Sequence, residues 1–210
     1  MSLGKARLLV FGLGNPGDKY NRTRHNIGFD ILNYIALKQN LSFDHIKANC
    51  KYAILKGSLN AIKRENPGPI PTEPILFAKP QTFMNLSGHG VKDMVNLVRV
   101  PINRVVVISD NMDFPLGKIK LKEGGGSSGQ KGVESIIQSL GKAQSNFIRM
   151  NIGIGRPQGT SPPDYVLGRW LKTEEDLVDK IIQEAFNCLQ IIDEQGVQIA
   201  MNKYNGLTLT

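Results

Sequence analysis

Three short apolar runs in this chain each stop at a polar cluster, and that arrangement constrains the fold more than any other feature. Arg7-Leu-Leu-Val-Phe11 leads into Gly12-Leu13-Gly14-Asn15-Pro16-Gly17, and soon after come Thr23-Arg24-His25-Asn26. Ile75-Leu-Phe-Ala78 leads into Lys79-Pro80-Gln81-Thr82-Phe83-Met84-Asn85-Leu86-Ser87-Gly88, and Val105-Val-Val-Ile108 into Ser109-Asp110-Asn111-Met112-Asp113. Runs this short and this apolar suit strands buried on both faces. In open α/β sheets the crevice beyond the carboxyl ends of the strands is where ligands bind. His25, Asn85 and Asp110 are therefore expected to converge there although they lie far apart in sequence.

The rest of the chain alternates between strand and helix. Apolar residues at three- and four-residue steps predict helices over about His25–Lys38 and Ser87–Val98, and a third with Val133, Ile136, Ile137 and Leu140 on one face. Tyr52–Leu59 and Phe147–Ile154 read as strands, Asp164–Trp170 as a short helix, and Asn66–Pro74 as a proline-rich loop. Thr173 is expected to cap a last long helix whose first turn holds Glu175 and Asp176. Such alternation argues for an α/β fold, and 210 residues suit one domain.

Charge narrows the partner. Lys and Arg number 26 against 18 Asp and Glu, a formal net charge of +8, which favours a polyanion over an acidic or neutral partner. In Gly117-Lys-Ile-Lys-Leu-Lys122 the lysines alternate with apolar residues. As a strand, this segment would send Ile119 and Leu121 into the core and place Lys118, Lys120 and Lys122 on one face. That basic stripe runs directly into the glycine-rich loop Gly124–Gly129.

Several classes drop out. No apolar segment approaches the ~18 residues of a membrane span, and no apolar leader precedes the first strand, so a cytoplasmic protein is expected. Met1–Leu3 read as an added N-terminal remnant. Cys50 and Cys188 lie in unrelated segments without metal spacing, which fits a reducing compartment and a non-catalytic role. Gly12-x-Gly14-x-x-Gly17 matches a dinucleotide fingerprint in letters only, because Pro16 and the polar run Asp18–Arg22 delay the helix that should receive a pyrophosphate. A tight turn presenting Asn15 is the alternative.

No serine or cysteine has a nearby base in a context that looks like a nucleophile elbow, so hydrolysis would need water activated directly by a histidine. His25 has polar company, whereas His45 and His89 have none. Asp110 is available to orient one ring nitrogen while the other takes a proton from water. Singly, each residue also has a structural reading: His25 bonded to a carbonyl at a helix start, Asp110 in a turn, Asn15 and Asn85 in turns or caps.

The combination resembles the bacterial-type peptidyl-tRNA hydrolase family. Gly12–Gly17, Tyr20, Thr23–Gly28, Lys79–Gly88, Asp110–Gly117, the glycine loop, Ile152–Pro157 and Tyr165-Val-Leu-Gly168 follow the family's order and spacing over nearly the whole chain. The resemblance implies a single domain over residues 1–210, with a mixed, mostly parallel sheet between helices. It implies a monomer with no metal, cofactor or obligate protein partner. The implied reaction is hydrolysis of the ester between a peptide and the terminal ribose of tRNA. By position, His25 resembles the general base and Asp110 its orienting partner. Asn15, Tyr20, Met84 and Asn85 resemble residues that hold the peptide and the reacting carbonyl or wall the pocket, and Lys120 and Lys122 resemble the strand near the tRNA phosphates.

Three positions depart from the family pattern. Gly129-Gln130-Lys131-Gly132 stands where Gly-His-Asn-Gly is usual, and Asn151 where Arg is usual. Gln130 and Lys131 fall where substrate and water are held, and an ammonium, unlike a carboxamide, accepts no hydrogen bond. The alternative reading is an RNA-binding relative of the same fold with weak or no hydrolase activity, which retention of both His25 and Asp110 disfavours.

Overall fold

The computed structural model describes residues 3–60 and 71–210. Its seven strands are β1 (Leu8–Gly12), β2 (His45–Lys47), β3 (Cys50–Leu55), β4 (Ile75–Pro80), β5 (Val105–Asn111), β6 (Ile119–Glu123) and β7 (Ile148–Gly153). They form one sheet in the order β2-β3-β4-β1-β5-β7-β6. The apolar runs read as buried strands are β1, β4 and β5, and they lie side by side: Leu9 is in register with both Leu76 and Val105. β4, β1, β5 and β7 run parallel, while β2, β3 and β6 join them antiparallel.

Alternation within each strand builds two apolar layers. Leu8 and Val10 of β1 pack beneath α1 (Ile27–Gln39) and α5 (Glu175–Gln195), whereas Leu9 and Phe11 pack beneath α2 (Ser87–Val98) and α3 (Lys131–Leu140). The helix that follows β1 thus covers one face and the helices after β4 and β6 the other. That opens a crevice at the carboxyl ends of β1, β4 and β5. Two shorter helices, α4 (Pro162–Leu167) and α6 (Val197–Tyr204), complete the described chain.

Some boundaries differ from the sequence reading, each for a local reason. The strand expected over Tyr52–Leu59 begins at Cys50 and stops at Leu55, before Gly57 at φ +102° turns the chain away. β2 was not foreseen. Its two-residue hairpin to β3 is Ala48-Asn49, both at positive φ, and an alanine there hides the usual Asn-Gly signal. The third predicted helix starts at Lys131, and the helix expected over Asp164–Trp170 starts two residues earlier and ends three earlier, with Ser161 as its cap.

Thr173 does not cap α5. Glu174 occupies the cap position, and its carboxylate is drawn instead to Leu171 N and Arg24. The last long helix is also two helices, because Gly196 at φ +91° separates α5 from α6. Residues 71–74 of the proline-rich loop have no regular structure; its first part, and residues 1–2, lie outside the described residues.

Candidate active site

Two glycines set the scaffold. A Cβ on Gly12 would sit 2.2 Å from Gly28 O, and one on Gly28 would sit 2.5 Å from Leu13 N, so the end of β1 and the start of α1 touch backbone to backbone. This contact presses a 3-10 turn, Arg24–Asn26, against the sheet end. His25 lies in that turn, one step ahead of the helix in which the sequence reading placed it. Its Nδ1 stands 2.9 Å from Asp110 Oδ2 at the end of β5. Asp110 is buried and His25 partly so. The other carboxylate oxygen, Oδ1, accepts from Gln130 Nε2 at 2.9 Å. A carboxylate accepts only, so Nδ1 carries the hydrogen and Nε2 is left with the lone pair.

A second set of bonds fixes the opposite side. Asn26, next to His25, takes the Asn15 N–H on its Oδ1 at 2.8 Å and donates Nδ2–H to Asn15 O at 2.9 Å. Asn15 Oδ1 then accepts Met84 N–H at 2.8 Å. With its oxygen so occupied, the Asn15 side chain presents its amide N–H groups to the cavity that it lines. Met84 Sδ accepts weakly from Gln130 Nε2 at 3.3 Å, which returns the path to Asp110. The polar groups of the site thus form a closed ring through β1, the turns after β4 and before α1, β5 and the cap of α3.

The ring borders a cavity of about 440 Å³. Beside His25, Asn15, Met84, Asn85, Asp110, Gln130 and Lys131, its lining includes Phe83, Met112, Val166 and Leu167. A small polar patch facing an apolar wall suits a substrate with one reacting carbonyl and an organic side chain. Asn85 is exposed at this cavity, and so is Lys131 in the first turn of α3. Tyr20, expected as a wall, does not line it; its ring stands edge-on to Phe83 with centroids 6.4 Å apart, so it supports the wall from behind.

Comparison with known proteins decides the family. The family model described as peptidyl-tRNA hydrolase matches residues 9–210. The chain is 37% identical to the peptidyl-tRNA hydrolase of Syntrophomonas wolfei, across 94% of this chain and 99% of that protein. It is 38% identical to that of Clostridium botulinum, across 96% and 98%. The crystal structure of peptidyl-tRNA hydrolase from Acinetobacter baumannii superposes with a TM-score of 0.81 at 29% identity, covering 97% of each chain. The chain belongs to the peptidyl-tRNA hydrolase family.

For a member of this family, the basic strand is the second region of interest. Ile119 and Leu121 of β6 are buried and Lys122 is exposed. Lys118 does not join the stripe: its ammonium donates to Asn205 O at 2.8 Å and Leu207 O at 2.9 Å, which ties it to the C-terminal segment. The stripe is therefore Lys120 and Lys122, in register with Asn151 and Arg149 of β7. Asn151 donates to Lys120 O at 3.1 Å, and Arg149 holds the carbonyls of Gly125 and Gly126. Lys122 lies across the same loop, where a Cβ on Gly125 would be 2.8 Å from its Nζ.

Sequence reasoning missed Arg24 and Asn26. Arg24 is buried, its guanidinium 4.4 Å from the Tyr165 ring centroid and 5.0 Å from that of Trp170. It donates to Arg169 O at 2.6 Å and pairs with Glu174 at 2.7 Å. The residue before His25 thereby anchors the segment that carries Val166 and Leu167. The available signal was the unbroken polar run Thr23-Arg24-His25-Asn26 at the foot of an apolar helix. The two thiols are silent, since burial pushes Cys50 up to about 12 and raises Cys188 further.

Proposed function

We propose that this protein hydrolyses the ester joining a peptide to tRNA, with His25 as the general base for the attacking water. The observation that carries this reading is the His25–Asp110 contact at 2.9 Å on the rim of the cavity. Family membership supplies the reaction: ester hydrolysis that releases free tRNA. The residues of this chain supply the division of labour.

Asp110 holds the His25 Nδ1–H, so Nε2 takes a proton as water oxygen bonds to the ester carbonyl carbon. The bond from that carbon to the ribose oxygen then breaks. The imidazolium returns its proton to the departing oxygen, and Asp110 offsets the charge on the ring meanwhile. The Asn15 amide, aimed by Met84 N–H, and the exposed Asn85 amide are the donors available to the reacting carbonyl and the peptide. Phe83, Met84, Met112, Val166 and Leu167 offer an apolar surface to the peptide side chain. Lys120 and Lys122 meet the tRNA phosphates. Gln130, expected among the substrate-binding residues, instead turns its amide toward protein groups. Lys131, which lines the cavity, is assigned to the substrate.

The protein is expected to act in the cytoplasm as a monomer, without metal, cofactor or obligate protein partner. Among the described residues no helix is long and apolar enough to cross a membrane. The deciding experiment is release of peptide from a purified peptidyl-tRNA. Turnover that depends on His25 supports the proposal, whereas tight tRNA binding with no release would make the protein an RNA-binding relative of the enzymes.

A further inference from the structure

Gln130 sits at a departure from the family pattern, and its surroundings give that departure a role. As the cap of α3, its Oε1 accepts Val133 N–H at 2.8 Å. This fixes the direction of the amide: the oxygen turns toward the helix and the NH₂ away from it. One N–H then meets Asp110 Oδ1 at 2.9 Å and the other faces Met84 Sδ at 3.3 Å. Asp110 has a donor on each oxygen, from Gln130 on one side and His25 on the other. Both oxygens of Asp110 thus serve as acceptors, one for each neighbour.

We infer that Gln130 is a positioning residue for the hydrolysis, one that closes the ring around the cavity and keeps Asp110 an acceptor, so that His25 stays oriented with Nε2 toward water. The inference rests on His25 being the base. Gln130 touches neither water nor ester in this role and acts through Asp110. Its chemistry also differs from that of the family's usual histidine in one respect: an imidazole titrates near neutrality and a carboxamide does not. Gln130 therefore adds no ionising group beside Asp110, and the other charged side chains at the cavity are Lys131 and Asp113. The same amide caps α3, so one side chain sets both the start of the helix and the orientation of the dyad.

The test is single-turnover hydrolysis of a defined peptidyl-tRNA across the pH range in Gln130→Met and Gln130→Glu, with tRNA affinity measured separately. Gln130→Met keeps the shape and removes both donors together with the oxygen that caps α3. The rate constant should fall by roughly 10- to 100-fold, the scale on which a misplaced catalytic group costs activity, while tRNA affinity holds. Gln130→Glu puts a second carboxylate against Asp110. Where that group is ionised its negative charge favours imidazolium, so the acidic limb should move upward, and Gln130→His should keep much of the rate that Gln130→Met loses.

A uniform loss at every pH with an unmoved limb in Gln130→Glu would mean a structural role only and overturn the inference, as would parental rates in both variants. Should the methionine variant fail to fold, the near-isosteric glutamate variant decides the question. His25→Ala separates the two layers of argument. If it keeps the parental rate, the base assignment itself fails. If it is inactive while both Gln130 variants keep the parental rate and limb, only the role of Gln130 fails.

Discussion

The cavity and the β6 strand are expected to meet the same substrate under opposite physical conditions. Around the cavity, Asn15, Asn26, Asp110 and Gln130 are buried, and each holds at least two protein hydrogen bonds. Along β6, Lys122 is exposed and neither Lys120 nor Lys122 is paired to a carboxylate among the described residues. The contrast bears on what the family departures are expected to do. Proton transfer depends on fractions of an ångström, so replacing histidine by Gln130 still leaves a donor on Asp110. Attraction to phosphates acts over the screening length of about 8–10 Å, so an asparagine at 151 is expected to cost little while Lys120 stands in register with it.

The largest expected effect falls on the locked side. His25→Ala should reduce single-turnover hydrolysis by ~10²–10⁴-fold while tRNA affinity stays at the parental value, since no phosphate contact is removed. Asp110→Ala should lose less. Parental turnover in His25→Ala would remove the basis of the contrast, because the cavity would no longer be where the chemistry is.

Arg24→Gln comes next. It leaves Glu174 without its buried partner and frees the segment that carries Val166 and Leu167. Breaking such a pair costs ~3–5 kcal/mol, and the lower end is expected here because the Glu174 side chain is 20% exposed. Urea denaturation measures the stability. KM should rise most for peptides ending in a bulky apolar residue, and the emission of the lone tryptophan, Trp170, should shift. Unchanged KM for all peptides would detach the α4 wall from substrate.

Lys131→Asn tests the border between the two regions, since Lys131 lines the cavity yet is exposed. Asparagine restores an acceptor for the attacking water, so the maximal rate should rise, within the ~10²-fold that misplacement can cost. Removing a positive charge favours imidazolium, so the acidic limb should move upward, though solvent screening keeps that movement to a few tenths of a unit. A slower variant with an unmoved limb would place Lys131 among the working groups of the site.

The smallest effects belong to the charged side. Lys120→Ala and Lys122→Ala should each flatten the log–log dependence of tRNA affinity on salt by about one unit and leave hydrolysis of a short ester mimic unchanged. Asn151→Arg should tighten binding and steepen the dependence. Identical slopes in all of these variants would move the tRNA track away from β6.

What the sequence determined by itself was everything that a local pattern can encode. Strands β1, β4 and β5 were legible because each is a continuous apolar run, and α2 was legible to the residue because its apolar positions keep helical spacing from Ser87 to Val98. His25 and Asp110 could be paired on paper because polar residues at strand ends collect in one crevice, and family likeness then ranked them. Only the tertiary structure decided how the polar groups divide their bonds. Gln130 reads as a substrate-facing amide until Val133 and Asp110 claim its two ends, and Lys118 reads as part of a basic stripe until Asn205 and Leu207 take its ammonium. Arg24 and Asn26 looked like ordinary neighbours of His25, yet one anchors the α4 wall and the other grips Asn15. The physical reason is separation along the chain. Helix and strand periodicity depends on neighbours a few residues away, whereas the bond from His25 to Asp110 spans 85 positions and that from Met84 to Asn15 spans 69, so their partners exist only once the sheet has formed.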